Sequence, residues 1–393
     1  MNKSRDALTI LFISHVNPVL RSGGNEIRLL KMINWLRAEG FHIVLLLNHP
    51  PLPRDMRDQL LEIVDAVYTP DECPTSLPKK ISNLVNRFLS PQPIPITESE
   101  KVRAFHGKPY LIQATGVLCK RYRPNAVVAE YVFTTPCLRE VPSGVLTFVD
   151  THDMFSRRDP EDPLYCSPEE ERAYLLTVDV VIAIQAAEAE HFRALVPERK
   201  VVTVGIDYEV VTHSQAGDEI SGNIVLVVGS NYPANIAGLK DFCELAWPLV
   251  CKENPGAELW VAGKIGEAIS NKVPRARVLG WVENLQALYR QSAVVINPTV
   301  TGSGLKIKTV EALCNGKPLV ATPNAVEGLV FEGEAPFMVC NNWPEFAGSI
   351  VSLLYSDVRR VALQESALRY AQEHFASSRV YGELADILRS QVA

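Results

Sequence analysis

The segment 301–322 contains a turn with two glycines, followed by two lysines and a glutamate. Glycines permit a close approach of the backbone to a ligand, and the free N–H groups and dipole of a helix N-terminus bind anions. Ammonium groups beside such an N-terminus favour a diphosphate, and the carboxylate can accept hydrogen bonds from a pair of hydroxyls, such as those of a ribose. By itself the pattern also fits a turn whose charged residues are merely solvated. The residues concerned are Gly302, Ser303, Gly304, Lys306, Lys308 and Glu311.

The elements around this turn would place it at the ligand-binding edge of a β-sheet. The apolar run 293–299 predicts a strand, a helix is predicted from Leu305 to Asn315, and the run 317–322 predicts the next strand. In open α/β sheets, ligands bind at the carboxyl ends of the strands. The order of strand, turn and helix therefore favours a binding function for the lysines and the glutamate.

The same alternation of strands and helices runs through the whole chain. In the first half, the strand pattern 8–14 is followed by Gly23 and Gly24, a helical pattern and a second strand pattern at 41–48. Continuous apolar strands suit parallel sheets that are covered on both faces. A polar, glycine-containing stretch, 212–222, predicts a linker, after which the alternation begins again. The sequence thus predicts two doubly wound α/β sheets of similar size, with a ligand site in a cleft between them.

Length, charge and cysteine usage exclude several classes of protein. The length of 393 residues predicts two or three domains, and the net charge of -6 argues against a nucleic-acid binder with a strongly basic surface. The sequence contains no signal-peptide pattern and no run of about 18 apolar residues, so a cytoplasmic protein without membrane spans is expected. The eight cysteines form no CxxC pair, which predicts reduced thiols rather than a metal site.

The segment GSGLKIKTVEALCNGKPLVAT resembles the donor-binding signature of glycosyltransferase family 4, a large group of retaining enzymes with the GT-B fold. Four other segments are also similar to parts of this family, and the likeness is stronger in residues 223–330 than in residues 50–145. These segments are SGGNEIRLLKMINWLRAEGFHI, DTHDMFSRR, GSNYPANIAGLKDF and WVENLQALYRQSAVVINPT.

The resemblance implies an architecture and a reaction. Residues 1–210 would form an acceptor-binding Rossmann-like domain, residues 211–375 a domain that binds the nucleotide-sugar donor, and residues 376–393 a helix that crosses back to the first domain. A UDP- or GDP-sugar would lose its diphosphate while an acceptor hydroxyl attacks from the same face. No metal or other cofactor is expected, because helix N-termini and lysines can stabilise the departing diphosphate.

The resemblance assigns the catalytic role to four residues. His152 would lie near the sugar and the reaction centre, and Asp150 and Asp153 would either orient it or cap the following helix. Glu311 would be the partner of the ribose. Of the two lysines after the turn, one would face the phosphates while the other faces solvent. The four residues are His152, Lys306, Lys308 and Glu311.

A further set of residues would bind the donor. Gly23 and Gly24 would let the first loop approach the phosphates or the sugar, and Gly229 and Ser230 would contact phosphate through their N–H groups. Lys264 could equally well be a solvated lysine, and Trp281 could be a core tryptophan. The set is Gly23, Gly24, Gly229, Ser230, Lys264, Trp281, Val282, Gly302, Ser303, Gly304 and Leu305.

Two departures from the family pattern affect these roles. Relatives often carry another glutamate eight positions before the one that matches Glu311, where this sequence has Ser303, so a sugar-contacting carboxylate has no counterpart here. The loop 230–235 also lacks the basic residues that relatives often have there. We therefore expect another lysine to supply the missing charge. The candidates are Lys264, Lys306 and Lys308.

The acceptor side is less defined by the sequence. Residues 77–89 predict an amphipathic helix, which either packs on its own sheet, the favoured alternative, or contacts anionic lipid at the inner face of the plasma membrane. The resemblance to glycosyltransferase family 4 implies an acceptor that is a glycan, a glycolipid or a lipid-linked intermediate in cell-surface polysaccharide or lipopolysaccharide assembly. The alternatives are a catalytically silent nucleotide-sugar-binding protein and a GT-B sugar-nucleotide epimerase, although no convincing acid–base pair of carboxylates supports an epimerase. No GxGxxG follows the first strand, which argues against a dehydrogenase.

Overall fold

A computed structural model describes residues 7–21, 23–73, 108–211, 222–269, 273–302, 305–331 and 333–390. The chain divides into two compact units. The first unit comprises Met1–Val204 together with Tyr381–Ala393, and the second comprises Gly205–Val380. The predicted helix at residues 77–89 and the predicted linker lie outside the described residues, apart from residue 222.

The first unit is built on a seven-stranded parallel sheet in the order β3-β2-β1-β4-β5-β6-β7. Its strands are almost continuously apolar and buried, as expected for a parallel sheet that is covered on both faces. This strand order is that of a doubly wound Rossmann-like sheet. The strands are β1 (Thr9–Ser14), β2 (His42–Leu47), β3 (Ala66–Tyr68), β4 (Ala126–Glu130), β5 (Leu146–Asp150), β6 (Val180–Ala183) and β7 (Lys200–Thr203).

Helices connect these strands. The first of them buries Leu30, Ile33 and Leu36, three of the residues whose helical spacing is visible in the sequence. The helix after Ser167 begins at a capping box, in which Ser167 Oγ accepts from the Glu170 N–H and the Glu170 carboxylate accepts from the Ser167 N–H. The helices are α1 (Gly24–Ala38), α2 (Arg54–Ile63), α3 (Pro109–Tyr122), α4 (Pro168–Leu175) and α5 (Ala186–Leu195).

The second unit repeats the architecture with a six-stranded parallel sheet in the order β10-β9-β8-β11-β12-β13. The two doubly wound parallel sheets predicted from the sequence are therefore confirmed. The strands are β8 (Ile224–Val228), β9 (Glu258–Ala262), β10 (Ala276–Gly280), β11 (Val294–Asn297), β12 (Leu319–Ala321) and β13 (Met338–Val339). The helices are α6 (Pro233–Asp241), α7 (Trp247–Glu253), α8 (Leu285–Gln291), α9 (Ile307–Cys314), α10 (Trp343–Leu354), α11 (Asp357–His374) and α12 (Ser377–Arg389).

Pro248 lies where the helical region after β8 is irregular. Between α6 and α7, residues Phe242–Ala246 form a wider π-type turn. A proline ring inside a helix collides with the carbonyl group four residues earlier, which here is that of Glu244. The wider turn surrounds that carbonyl group, so the irregularity has a local cause in the sequence.

The last helix packs against the first helix of the chain. Helix α12 begins in the second unit, and its residues from Tyr381 onward group with the first. The Tyr381 ring stacks on Trp35 of α1 with centroids 5.0 Å apart, and Arg389 forms an ion pair with Glu39 at the end of α1. None of the helices in the described part of the chain combines the length and the apolar character needed to cross a membrane.

Helix α6 approaches the backbone after β11 so closely that only glycine fits at position 238. A Cβ atom on Gly238 would lie 2.1 Å from the carbonyl oxygen of Pro298 and 2.8 Å from its carbonyl carbon. We therefore expect Gly238→Ala to lower the free energy of unfolding of the second unit by about 2–3 kcal/mol, because backbone must move. Hydrogen exchange of α6 and β11, followed by mass spectrometry, would measure the loss.

Gly348→Ala is the matched control for this substitution. Gly348 also lies inside a helix, α10, but a Cβ atom there would meet nothing within 4 Å. Alanine should stabilise that helix by about 0.5–1 kcal/mol. Equal effects of the two substitutions would contradict the close approach at Gly238.

Candidate functional site

In the first unit, His152 follows the carboxyl end of β5 and is held by two carboxylates. Its Nε2 atom lies 2.5 Å from Glu130 Oε2 and 3.6 Å from Asp150 Oδ2. The histidine side chain is 5% exposed, and its backbone has a φ of 63°. Glu130 is the last residue of β4 and Asp150 the last of β5, so adjacent parallel strands bring both carboxylates to the same edge of the sheet.

A buried arginine compensates this negative charge. Arg28 of α1 donates from Nε to Asp150 Oδ2 at 2.8 Å and from Nη2 to Asp150 Oδ1 at 2.9 Å. Burial disfavours the charged form of Asp150, but the charges of Arg28 and His152 outweigh it and hold the pKa of Asp150 below its ordinary value. Glu130, Asp150 and His152 offer ligand atoms within 4.8 Å of one another. Because Arg28 already takes both oxygens of Asp150, that carboxylate is a poor ligand for a metal cation.

Tyr131 connects the histidine with the loop that carries the first two glycines. Its ring stacks on His152 with centroids 4.4 Å apart and planes inclined by 15°, and its hydroxyl accepts a hydrogen bond from Asn25 Nδ2 at 3.2 Å. Asn25 directly follows Gly24, where α1 begins. The structure therefore brings the predicted residues Gly23, Gly24 and His152 to one place.

The Gly23 N–H is already engaged at this helix N-terminus. It donates to Glu26 Oε2 at 3.0 Å. The glutamate brings a negative charge to the end of α1 that would otherwise attract an anion. Of the two ligand groups considered for this loop, phosphate or sugar, the neighbouring carboxylate disfavours phosphate.

Asp153 does not contact His152 in any hydrogen bond that the structure records. Its Oδ1 atom accepts from the Met154 N–H at 2.8 Å, and its Oδ2 atom accepts from Arg158 at 2.6 and 3.0 Å. Asp153 precedes the turn Phe155–Arg157, whose N-cap is Met154 without a side-chain cap, so Asp153 does not cap it. Asp150 lies close enough to His152 to orient the ring.

In the second unit, the two lysines after the turn have different environments. Lys308 Nζ donates to Asn235 Oδ1 and to Thr299 Oγ1, both at 2.6 Å. Lys306 Nζ donates to the Gly302 carbonyl oxygen at 3.0 Å. Burial, and to a lesser extent the charge of Lys306, lowers the pKa of Lys308 to about 7. Lys308 is therefore the lysine that points inward.

The helix after the turn is shorter than predicted. It covers Ile307–Cys314 instead of 305–315, with Lys306 at the N-cap position. Leu305 is half-buried, and Gly302 is exposed with a φ of 101°, a conformation that favours glycine. Ser303 and Gly304 lie outside the described residues. The shortening follows from Lys306, whose ψ of 95° is incompatible with a helix.

Asn235 connects Lys308 to the loop after β8. Its Nδ2 atom donates to the Ser230 carbonyl oxygen at 3.3 Å and to Ser230 Oγ at 3.2 Å. The N–H of Gly229, by contrast, donates to Ala262 at 3.0 Å, so that group is already engaged. The predicted contact of the Gly229 N–H with phosphate would require this hydrogen bond to be given up, and it stays a prediction. The packing of Ile265, 3.0 Å from the position of a Cβ atom, explains the glycine instead.

Glu311 lies on α9 and is held by a tyrosine. The hydroxyl of Tyr289 donates to Glu311 Oε2 at 3.1 Å. Tyr289 is fully buried, and its pKa is raised first by burial and then by the charge of Glu311. The pKa of Tyr208 is raised by the same two causes, which places a second phenol near this carboxylate.

The remaining predicted donor residues lie at the ends of β9 and β10. Lys264 is exposed and follows Gly263, whose φ is 90°. Trp281 is 73% exposed, so the alternative of a core tryptophan is excluded. Val282 beside it is half-buried.

Sequence reasoning missed several residues that hold the predicted ones. An acid at the end of the apolar run AVVAE and a basic residue on the apolar face of α1 were the available signals for Glu130 and Arg28. Tyr131, Asn235 and Tyr289 carry no such signal, because the residues that they contact lie far away in the sequence. The missed residues are Arg28, Glu130, Tyr131, Asn235 and Tyr289.

Part of the chain is similar in sequence to a glycosyltransferase family. Residues 222–356 match the family described as "Glycosyl transferases group 1". A Klebsiella pneumoniae protein described as "Uncharacterized 44.6 kDa protein in cps region" is 29% identical over 174 residues. That alignment spans 41% of this chain and 44% of the relative, less than half of either protein.

Solved structures resemble almost the whole chain. Anabaena Alr3699/HepE in complex with UDP and glucose has a TM-score of 0.66 at 15% identity, covering 98% of this chain and 100% of its own. Sucrose-phosphate synthase from Thermosynechococcus elongatus has a TM-score of 0.70 at 16% identity, and TarM 0.71 at 11%; each covers 98% of this chain and 99% of its own. The predicted GT-B fold is thereby confirmed.

Proposed function

We propose that this chain is a retaining, metal-independent glycosyltransferase that moves a sugar from a nucleotide-diphosphate sugar to a hydroxyl acceptor. The observation that carries the proposal is the position of Lys308. Its half-buried ammonium group lies beside the carboxyl end of β11, inside the segment that is similar to group 1 glycosyltransferases. A cation fixed at this edge of the sheet suits a departing diphosphate and can take the place of a metal ion.

The donor in this proposal is a UDP-sugar, with a GDP-sugar as the alternative. Structures of Anabaena Alr3699/HepE contain UDP with glucose and UDP-glucose, which supports the uridine nucleotide. Lys308 would contact the diphosphate, and Glu311, oriented by Tyr289, would accept from the ribose hydroxyls. Trp281 is exposed enough to contact the base.

His152 is proposed to act on the sugar. It lies at the carboxyl edge of the first sheet together with the loop of Gly23 and Gly24. Glu26 at that loop disfavours phosphate, so a neutral sugar with hydroxyl groups fits this edge better than the diphosphate does.

The biological setting is proposed from the relatives. The Klebsiella protein is described by its location in a cps region, which supports a role in surface polysaccharide assembly. A structure of S. aureus TarM contains α-GlcNAc-glycerol and UDP, which supports a hydroxyl-bearing glycan acceptor. A lipid-linked acceptor would require a cytoplasmic protein that contacts the inner face of the plasma membrane.

Incubation of the full chain with UDP- and GDP-sugars tests the proposed reaction. We expect slow release of the nucleoside diphosphate from one donor, a sugar product with retained anomeric configuration by NMR, and unchanged activity in EDTA. Inversion at the anomeric carbon would contradict the retaining mechanism, and loss of activity in EDTA would contradict metal independence. Donor binding without turnover would support a silent binding protein, and epimerised donor would support the epimerase.

A further inference from the structure

His152 is held on several sides by residues whose own roles are unassigned. Glu130 Oε2 lies 2.5 Å from ring atom Nε2, and Tyr131 stacks on the ring face. Tyr131 in turn accepts a hydrogen bond from Asn25 and packs edge-on against His15, with centroids 4.6 Å apart. The imidazole therefore has one defined orientation, in which Nε2 faces Glu130 and Nδ1 is the other ring nitrogen.

Both members of the aromatic stack have unusual backbone conformations. Tyr131 has a φ of 68° with a ψ of 144°, and His152 has a φ of 63°. Such conformations are uncommon outside glycine, and that of Tyr131 lies close to a region that essentially only glycine uses. Glycine would relieve the strain at either position, so the side chains must account for the residues found there. Strained positions of this kind cluster at functional sites.

With Glu130 ionised, the charges around His152 balance when its ring is positive. Arg28 from α1 is paired with Asp150 from β5 through both carboxylate oxygens, whereas the Glu130 carboxylate from β4 contacts His152. All of these side chains are buried, and an unpaired buried carboxylate is strongly disfavoured. A protonated imidazole in contact with Glu130 completes two ion pairs. The face of Tyr131 also attracts a cation.

We propose that Glu130 and Tyr131 are positioning residues that hold the His152 ring in one orientation and in its doubly protonated form, so that Nδ1–H is donated to an oxygen atom of the sugar substrate. The assignment of the acceptor oxygen rests on the proposed glycosyl transfer. The hold on the ring itself does not, since it follows from contacts within the first unit.

The direction of the histidine pKa agrees with this geometry. Burial lowers the pKa of His152, but Asp150 and Glu130 outweigh it and raise the pKa above the ordinary value, with Arg28 acting in the opposite direction. Burial likewise raises the pKa of Glu130, and the contact with His152 works against that rise. Stability contributed by a histidine of raised pKa is present below the ordinary value near 6.5 and is lost as pH rises through the folded-state value.

Titration of the His152 ring by NMR tests the hold directly. In the full chain labelled with ¹³C-histidine, we expect a midpoint above about 6.5, assigned by loss of the signal in His152→Gln. Glu130→Gln keeps an oxygen that can accept from Nε2–H but removes the charge, so the midpoint should fall by about one to three pH units. A wild-type midpoint at or below the ordinary value, which needs no variant to measure, overturns the proposal, as does an unchanged midpoint in a folded Glu130→Gln protein.

Glu171→Gln is the matched control. Glu171 is also buried, and its Oε2 atom lies 3.6 Å from Nε2 of His191 in the same unit. Its removal should leave the His152 midpoint in place. A shift of His152 comparable to that in Glu130→Gln would mean that the midpoint reports general loosening, and the proposal would fail.

The pH profile of glycosyl transfer separates the positioning role from the proposed reaction. With Glu130→Gln, the alkaline limb of kcat should move to lower pH by the same amount as the NMR midpoint, with KM for the donor little changed. Tyr131→Leu should lower kcat, and Tyr131→Phe, which keeps the stack, should retain most of it. If Glu130→Gln shifts the NMR midpoint of His152 but neither the wild type nor any variant transfers a sugar, the proposed function alone is refuted. If Glu130→Gln transfers the sugar with the pH profile of the wild type, the role of Glu130 is refuted.

Discussion

Replacing Arg28 with alanine is expected to destabilise the first unit by about 3–5 kcal/mol at neutral pH. The substitution would leave Asp150, which is 0% exposed, as a buried carboxylate without its cation, 2.8 Å from where the guanidinium had been. Desolvation of that charge, rather than the loss of contact area, accounts for the magnitude. Hydrogen exchange of peptides covering β4 and β5 measures the loss in the first unit, whether or not the two units unfold together.

The pH dependence of this loss has a definite sign. In the wild type, Arg28 and His152 hold the pKa of Asp150 low, so its stabilising contribution is present above about pH 4 and is lost as pH falls further. In Arg28→Ala, burial is no longer offset by the arginine and raises that pKa, and protonation relieves the penalty as pH falls. The difference between the two proteins should therefore shrink from pH 7 toward pH 4.

Arg172→Ala provides the control for Arg28→Ala. Arg172 pairs with Glu198 in the same unit at 2.6 Å, but these side chains are 36% and 52% exposed. Exposed ion pairs are screened by solvent and contribute little to stability, so this substitution should have little effect. Similar losses in the two variants would contradict the idea that burial makes the Arg28 pair important. The double variant Arg28→Met with Asp150→Leu should recover much of the stability, because it removes both charges.

Much of the fold could be predicted because its signals are local. Apolar runs bounded by polar residues and glycines mark the strands, and the restart of the pattern after the polar stretch 212–222 predicts two sheets. The irregular turn before Pro248 also has a local cause. The exact ends of a helix are harder to predict. The chain from 305 to 315 has helical spacing, but the backbone of Lys306 is not helical, so α9 begins at Ile307, two residues later than predicted.

The candidate site was predictable in outline and not in its contacts. Lys306 and Lys308 have equal claims in the sequence, because the choice depends on Asn235, which lies 73 residues from Lys308. The pair of Arg28 and Asp150 spans 122 residues. Contacts of this kind depend on which strands are neighbours, and residue type and spacing do not encode that order.

Residue type was misleading where a large apolar side chain is exposed. Burial of an indole is favourable, so a core position for Trp281 is a reasonable expectation from composition. The residue instead follows Gly280, whose φ of 65° ends β10, and leaves the sheet at that point. Gly280 is a visible turn signal in the sequence, and it favours an exposed tryptophan at the sheet edge over a buried one.

Uridine diphosphate is expected to bind on the order of 10²-fold more weakly to Lys308→Met than to the wild type. The lysine is the half-buried cation at the proposed diphosphate site, and its substitution leaves Asn235 and Thr299 without the donor that now occupies them. Isothermal titration calorimetry of the full chain measures the change. Lys264→Met, at an exposed position, should weaken binding far less, and equal affinity of all three proteins would remove Lys308 from the site.

The lowered pKa of Lys308 gives the same binding reaction a pH dependence of definite sign. In the free protein the pKa is about 7, so most molecules carry a neutral amine at pH 8.5. A bound diphosphate favours the ammonium form and raises the pKa, so binding should take up close to one proton, and affinity should fall about tenfold per pH unit above 7. The phosphate of the nucleotide has a pKa near 6 and is already ionised between pH 7.5 and 9, where calorimetry in buffers of different ionisation enthalpy would count the proton. Because the charge of Lys306 contributes to the lowered pKa of Lys308, the affinity of Lys306→Met for the diphosphate should begin to fall at a higher pH than that of the wild type. Affinity that stays constant across that range in the wild type would show that Lys308 is already charged, or that the diphosphate binds elsewhere.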